Sequence, residues 1–306
     1  MREESLMSLR FRRCLPLTVA GLVVVGLSAA QQTFRSGVNL VHVPVVVTAK
    51  EGALVRGLTQ NDFQLTENGV RQEVQFFTEG ASGQKLPLHV GLLLDVSESM
   101  ALPLAQAATA AIRFVNALEE AQDTTLVDFD HTVRVARFGA NDYPRMFERI
   151  RSKRASGNTA LYDAIAMYLQ STNDQDGQRV LLLYTDGGDS TSALNFGQLE
   201  KLLKQDDVLV YSIGYLDRQS RMGLPQMQLT TLARDTGGDA FFPEDARDLN
   251  AIYAKILDEL TSRYTLGYLS SNPKDDGTFR KIEVKVTRPD AAKAKVRARP
   301  GYYAAK

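Results

Sequence analysis

An apolar run that stops abruptly in oxygen-bearing side chains is the strongest constraint on how this chain can fold. Gly91-Leu92-Leu93-Leu94 shows no alternation of apolar and polar residues, so the strand it forms must be covered on both faces, as in a parallel sheet flanked by helices. The run passes into Asp95-Val96-Ser97-Glu98-Ser99-Met100, which places three small oxygen donors, Asp95, Ser97 and Ser99, at every second position. Oxygens spaced in this way on a loop at a strand's carboxyl end can converge on one hard cation, and open α/β sheets bind their ligands at that edge. Ser and Asp also favour helix N-caps. This segment alone leaves both readings open.

The surrounding pattern extends the same architecture. Strands are predicted over 88–95, 124–129, 133–138, 179–185, 208–214 and near Ala240-Phe241-Phe242. Helices are predicted over about 101–119, 144–152, 160–170, 196–204, 225–234 and 247–262. In the first of these, Leu104, Ala108, Ala111, Ile112, Val115 and Leu118 fall on one face. Strands alternating with helices imply an α/β fold with a doubly wound, mostly parallel, Rossmann-like sheet.

Both flanks have a period of two instead. Val41, Val43, Val45 and Val47 alternate, although Val46 interrupts them, and Pro44 suggests an edge strand. Asn68-Gly69 is a strong hairpin signal between 62–67 and a return strand from Val70 to Phe77. Beyond Arg263, Tyr264, Leu266 and Tyr268 alternate, Asp276-Gly277 offers a turn, and Ile282, Val284 and Val286 alternate again. A last strand is expected from Val296 to Tyr303. Neither flank has enough strands to close a core, so one β-sandwich built from both ends, with the α/β domain inserted, is the favoured arrangement. Two unrelated β appendages are the alternative.

The first thirty residues differ in kind. Arg10, Arg12 and Arg13 precede an apolar stretch from Leu15 to Leu27, and Ser28-Ala29-Ala30 precedes Gln31. These are the parts of a secretory signal peptide, and the apolar core is short for a membrane span. An uncleaved anchor is the alternative. The sole cysteine, Cys14, lies in this segment without a lipobox, so the mature chain would have neither disulfides nor thiol chemistry. The expected divisions are a signal peptide (1–30), an N-terminal β module (31–80), an α/β domain (86–262) and a C-terminal β segment (263–306) packing on 31–80. Export to the periplasm, the cell surface or the medium follows. With 36 Lys and Arg against 36 Asp and Glu, the charges balance, and no basic surface for nucleic acid or membrane is predicted.

Two further segments bring oxygen donors to the same edge. Ser156-Gly157-Asn158-Thr159 is a flexible turn opening a helix, and Leu181-Leu182-Leu183-Tyr184-Thr185-Asp186-Gly187-Gly188 is a second buried strand ending in a carboxylate. Asp95, Ser97, Ser99, Thr159 and Asp186 thus all fall at strand ends or helix starts of one sheet. In this order they resemble the metal-ion-dependent adhesion site of the von Willebrand factor A domain: Asp-x-Ser-x-Ser, then a Thr, then an Asp. The resemblance covers about residues 86–262. The flanks are similar to a bacterial secreted subgroup in Gly57-Leu58-Thr59, Glu67-Asn68-Gly69, Tyr264-Thr265-Leu266-Gly267-Tyr268 and Arg299-Pro300-Gly301-Tyr302.

The resemblance implies Mg²⁺, with Mn²⁺ or Ca²⁺ as alternatives. Ser97, Ser99 and Thr159 would ligate directly, and Asp95 and Asp186 would act largely through water. It also implies capture of a protein partner's acidic side chain as the last ligand. Asp163 is weighed as a brace for the site, Asp189 as a modulator of its rim, Glu98 as a solvated loop charge, and Tyr162 and Tyr184 as packing residues. A structural component of an envelope or surface assembly, in which the metal serves stability, is the competing function. An enzyme is not expected. The three histidines, His42, His89 and His131, have no partner at triad or zinc spacing, and neither His-Glu-x-x-His nor Gly-x-Ser-x-Gly occurs.

Overall fold

The computed structural model describes residues 40–80, 86–118, 120–216, 220, 223–245 and 248–304. The expected signal peptide and the linker Ala81-Ser82-Gly83-Gln84 lie outside them. Strands are β1 (Leu40–Thr48), β2 (Phe63–Glu67), β3 (Val70–Gln72), β4 (Val74–Glu79), β5 (Leu88–Asp95), β6 (Ala121–Phe129), β7 (Val133–Gly139), β8 (Gln178–Thr185), β9 (Val208–Gly214) and β10 (Ala240–Phe241). After them come β11 (Tyr264–Leu269), β12 (Phe279–Val286), β13 (Lys295–Ala298) and β14 (Gly301–Tyr303). The α-helices are α1 (Leu104–Ala117), α2 (Tyr143–Arg151), α3 (Leu161–Ser171), α4 (Phe196–Gln205), α5 (Leu224–Thr236) and α6 (Asp248–Ser262).

The apolar strands form the predicted central sheet, in the order β10-β9-β8-β5-β6-β7. Its pairings are parallel except at β7, which runs antiparallel to β6. Leu92 and Leu94 pack into one helical layer with α1, α2 and α6, and Leu93 packs into the other with α3, α4 and α5. Burial on both faces explains the missing alternation. The chain leaves β5 toward β6 on one side and returns to β8 on the other. The order therefore reverses at the carboxyl ends of β5 and β8, the crevice where such sheets take ligands.

Both flanks enter one β-sandwich, with sheets β13-β1-β11-β4 and β14-β12-β2-β3. Val43, Val45, Phe63, Leu65, Tyr264, Leu266, Tyr268 and Ile282 fill the space between them. Val46 is buried on the opposite face of β1, and Thr265 of the neighbouring strand meets Gln178 of the α/β domain at 3.4 Å. That sheet is covered twice, which accounts for the break in alternation. Arginines of the C-terminal flank tie the seam: Arg297 bonds Glu259 and the Gly237 carbonyl, and Arg299 bonds Asp207 and the Lys204 carbonyl.

Several expectations are corrected. Pro44 lies on an inner strand, between β13 and β11, but β13 pairs with β1 only from Val45 onward, so Pro44 sits where one side of the ladder is open. The return strand from Val70 breaks at Glu73: β3 pairs with β2, while β4 crosses to the other sheet beside β11. Val296 to Tyr303 likewise splits around Arg299-Pro300 into β13 and β14, one in each sheet. Strands that change sheets form the corners of such a sandwich. The hairpin between β2 and β3 turns as predicted, with positive φ at Asn68 (49°) and Gly69 (80°), the geometry of a two-residue turn.

The flanking motifs meet at one buried carboxylate. Glu67 accepts hydrogen bonds from the hydroxyls of Tyr268 (2.8 Å), Ser270 (2.7 Å) and Tyr302 (3.0 Å), joining β2, β11 and β14. Glu67→Ala should destabilise the protein by roughly 2–3 kcal/mol in urea titrations, because three donors lose a charged acceptor in a buried setting.

Candidate metal centre

Asp95 closes β5 at full burial, and its carboxylate is committed to shaping the loop that follows. The Ser97 N–H donates to its Oδ1 at 2.9 Å, and the Thr185 hydroxyl at the end of β8 donates to its Oδ2 at 2.6 Å. Thr185 in turn accepts from the Gly187 N–H at 3.0 Å, which holds the turn that carries Asp186. Gly187 takes a φ of 80°, left-handed backbone that suits glycine. Burial pushes the Asp95 carboxyl up to about 6; hydrogen bonds from Ser97 and Thr185 oppose the rise, and the Asp186 charge adds to it.

The helix-cap reading of Ser97 and Ser99 fails on geometry. Ser97 precedes a 3-10 turn over Glu98–Met100 but makes no side-chain cap bond to it. The helix expected from 101 begins at Leu104 behind Pro103, also without a side-chain cap. Instead the Ser97 and Ser99 hydroxyl oxygens stand 3.2 Å apart. Two oxygens each about 2.1 Å from an octahedral ion, at right angles, are separated by about 3 Å. Their spacing fits adjacent ligands of one small cation.

Thr159 belongs to a loop stitched to both strand ends. The Ser156 N–H donates to the Val96 carbonyl at 2.9 Å, and the Glu98 N–H donates to the Gly157 carbonyl at 3.0 Å. The Thr159 carbonyl accepts from the N–H groups of Ser190 (2.9 Å) and Thr191 (3.1 Å), four and five residues past Asp186. Helix α3 starts at Leu161 with Ala160 as its N-cap, so Thr159, expected at the opening of the helix, stands one residue before the cap. Its first N–H groups are met by others: Asp189 Oδ1 accepts from the Tyr162 N–H at 3.2 Å, and the Ser192 hydroxyl accepts from the Asp163 N–H at 3.1 Å. The helix therefore makes no demand on the Thr159 hydroxyl.

Asp163 reaches outward to accept from the N–H groups of Ala193 (2.8 Å) and Leu194 (3.1 Å), bracing the loop that carries Ser190. Glu98 is exposed, and Tyr162 and Tyr184 are buried in the helical layers. Thr185, Ser190 and Ser192 were not singled out in the sequence. The one available signal was the adjacency of Thr185 to Asp186.

Beside this loop lies a charge cluster that sequence reasoning also missed. Asp128 of β6 is fully buried and receives Arg134 Nε (2.7 Å), Arg149 Nε (2.8 Å) and Lys153 Nζ. Burial opposes its charge, but the bonds from Lys153, Arg134 and Arg149 outweigh that and hold the carboxyl below its usual range. Arg134 also clasps Asp130 through two nitrogens, at 3.2 and 2.8 Å.

No group of three or more His, Cys, Asp or Glu side chains arranged to hold a metal ion occurs among the described residues. The candidate residues are of another kind, two carboxylates with three neutral hydroxyls. The model of the von Willebrand factor type A domain matches residues 89–255, more than half of the chain. The chain belongs to the von Willebrand factor type A family.

Domains of this family are protein-interaction and adhesion modules, typically non-catalytic. A curated relative, the uncharacterized protein sll0103 of Synechocystis sp., is 29% identical over 192 residues, 58% of this chain and 43% of that protein. The chain thus spans less than half the length of that relative. Among solved structures, the von Willebrand factor type A protein from Catenulispora acidiphila is similar at TM-score 0.49 and 12% identity, covering 80% of this chain and 74% of that one. The vWF domain of the type V pili tip protein Mfa5 from Porphyromonas gingivalis is similar at 0.47 and 13%, covering 58% and 97%. Proximal thread matrix protein 1 from the mussel byssus, with a zinc occupied MIDAS motif, is similar at 0.49 and 15%, covering 63% and 49%. No helix among the described residues of this von Willebrand A protein is long and apolar enough to cross a membrane.

Proposed function

We propose that the chain is an exported, metal-dependent protein-binding module. Residues 1–30 act as the signal peptide, the domain over 86–262 carries the site, and 31–80 with 263–306 form its sandwich base. Asp95, Ser97, Ser99, Thr159 and Asp186 hold a divalent cation, Mg²⁺ by preference of the oxygen set, with Mn²⁺ or Ca²⁺ as substitutes. The observation that carries this reading is the pair of Ser97 and Ser99 oxygens, 3.2 Å apart and unused as caps, beside a buried Asp95 fixed by Thr185. Neutral hydroxyls leave the ion's charge undercompensated, so it takes a further anionic oxygen. A partner's Asp or Glu carboxylate supplies that oxygen, and the step is binding with no bond broken.

The test is thermal melting of the protein in EDTA and across a Mg²⁺ series, repeated with Mn²⁺ and Ca²⁺. An ion that binds only the folded state adds about 2.7 kcal/mol at 100 times its dissociation constant, a shift of several degrees. Identical melting in EDTA and in millimolar concentrations of all three cations would sink the reading.

A further inference from the structure

Three arginines are fully buried among the described residues: Arg263, Arg280 and Arg299. Two of them have carboxylates, since Arg280 meets Asp276 at 3.0 Å and Arg299 meets Asp207. Arg263, at 4% exposure, does not: no Asp or Glu among the described residues makes an ion pair with it. Its Nη2 donates to Gln178 Oε1, and its Nη1 meets no acceptor of the protein. Burial holds its pKa below the usual arginine value, and Tyr211 opposes that shift.

Nothing in the seam is left to match this charge. Arg263 is the single residue between α6 and β11, where the chain passes from the α/β domain into the sandwich. Its N–H donates to the Glu259 carbonyl at 2.9 Å, and its own carbonyl accepts from the Gly80 N–H at 2.7 Å, which fixes the root of the side chain. The carboxylates nearby in the fold are taken: Glu259 by Arg297, Asp207 by Arg299, and Asp206 by Arg179 at 2.6 Å. An isolated buried charge is costly, so buried charges are as a rule paired.

Arg263 forms part of the wall of a crevice of about 250 Å³. The crevice lies where β5, β6 and β8 begin, against Leu88, Gln122 and Gln178, at the end of the central sheet opposite to Asp95 and Asp186. It is therefore independent of the cation site. Gln122 is a bulge: β6 pairs with β5 at Ala121 and next at Asp123, which leaves Gln122 unpaired and exposed on the crevice. Glu120, also on the wall, has an interaction of its own. Sites for drug-sized molecules occupy roughly 300–1,000 Å³, so the occupant here is a small one. A second space of about 30 Å³, also bordered by Gln178 and Arg263, has room for a water. Water can accept from Nη1, but it leaves the charge unmatched.

We infer that Arg263 binds a small oxyanion, a carboxylate or a phosphate, in this crevice. A guanidinium presents its N–H groups as a planar fork that matches two oxygens of such a group, and the bond to Gln178 holds the fork in place.

The full chain, stripped of metal on a chelating resin, is melted with sodium acetate or sodium phosphate replacing sodium chloride at constant ionic strength. An oxyanion should raise the melting temperature saturably, by several degrees at about 100 times its dissociation constant. A response to phosphate alone assigns the ligand to phosphates, and a response to acetate assigns it to carboxylates. Arg263→Gln should abolish the response while melting no lower than wild type in chloride, because it removes an unmatched buried charge. Gln122→Glu should weaken anion binding about fivefold and Gln122→Lys should strengthen it by a similar factor, as a unit charge within several ångströms of the anion requires. No saturable response to either anion, or a response that survives in Arg263→Gln, overturns the proposal. So does an Arg263→Gln variant destabilised equally in all three salts, which makes Arg263 a structural residue satisfied by water. Where Arg263→Gln fails to fold, equal anion affinity in the two Gln122 variants overturns it.

Discussion

Asp95→Asn should abolish the Mg²⁺-dependent rise in melting temperature and leave the metal-free protein as stable as the wild type, or more so. Asn keeps the shape of the side chain and an oxygen for Thr185 or Ser97, and it removes a fully buried charge. The wild-type carboxyl is pushed up to about 6 by burial, so keeping it ionised at neutral pH costs stability that only a bound cation returns. The sign follows from linkage. The folded-state value lies above the ordinary 3.8, so the protonated form's stabilising contribution is complete below that value and is lost as pH rises through about 6. In EDTA, wild type should therefore lose on the order of 3 kcal/mol relative to the Asn variant between pH 4 and 7. Paired urea titrations measure the difference, in which shifts of the other carboxylates cancel. At pH 7 the order should invert once Mg²⁺ exceeds about 1,000 times its dissociation constant, where binding returns roughly 4 kcal/mol. An Asn variant that is less stable than wild type in EDTA at pH 7 would make Asp95 a structural residue. A binding site held at a cost in stability is a familiar compromise.

What the sequence could reveal depended on whether a feature was local. Unbroken apolar runs at Leu92-Leu93-Leu94 and Leu181-Leu182-Leu183 identified strands covered on both faces, and the Asn68-Gly69 turn needs only its own two residues. The sandwich corners were hidden because alternation continues through a strand that changes sheets: nothing between Val70 and Phe77 marks the break at Glu73. At the other corner Pro300 was a usable sign, since proline cannot donate to a ladder. Pro44 misled in the opposite sense, because an inner strand can have a locally open side where its neighbour ends. At the site, the order of Asp95, Ser97, Ser99, Thr159 and Asp186 along the chain was legible. The clamp of Thr185 on Asp95 was not, because it joins residues 90 positions apart across two strand ends.

Asp128→Ala should cost about 3 kcal/mol of stability and should also weaken cation binding at the neighbouring edge. Asp128 is the common acceptor for Arg134, Arg149 and Lys153, which come from β7, α2 and the loop beyond it. Removing a buried charge from its partners typically costs 3–5 kcal/mol. Two features place this case toward the low end: Arg134 keeps Asp130, and the three cationic side chains are 35%, 27% and 18% exposed, so water recovers part of the loss. The functional consequence comes through Lys153. It opens the loop whose Ser156 N–H and Gly157 carbonyl bond Val96 and Glu98, and which then delivers Thr159. With Asp128 gone, Lys153 and Arg149 repel each other where they had been joined, and the loop loses its anchor at the end opposite Thr159. Urea titration in EDTA should show the stability loss, and calorimetry with MgCl₂ at a temperature where the variant remains folded should show weaker binding. Asp128→Asn, which retains an acceptor oxygen, should be intermediate in both. If stability falls and Mg²⁺ affinity does not, the cluster holds α2 to the sheet and the Thr159 loop is positioned by its backbone bonds alone.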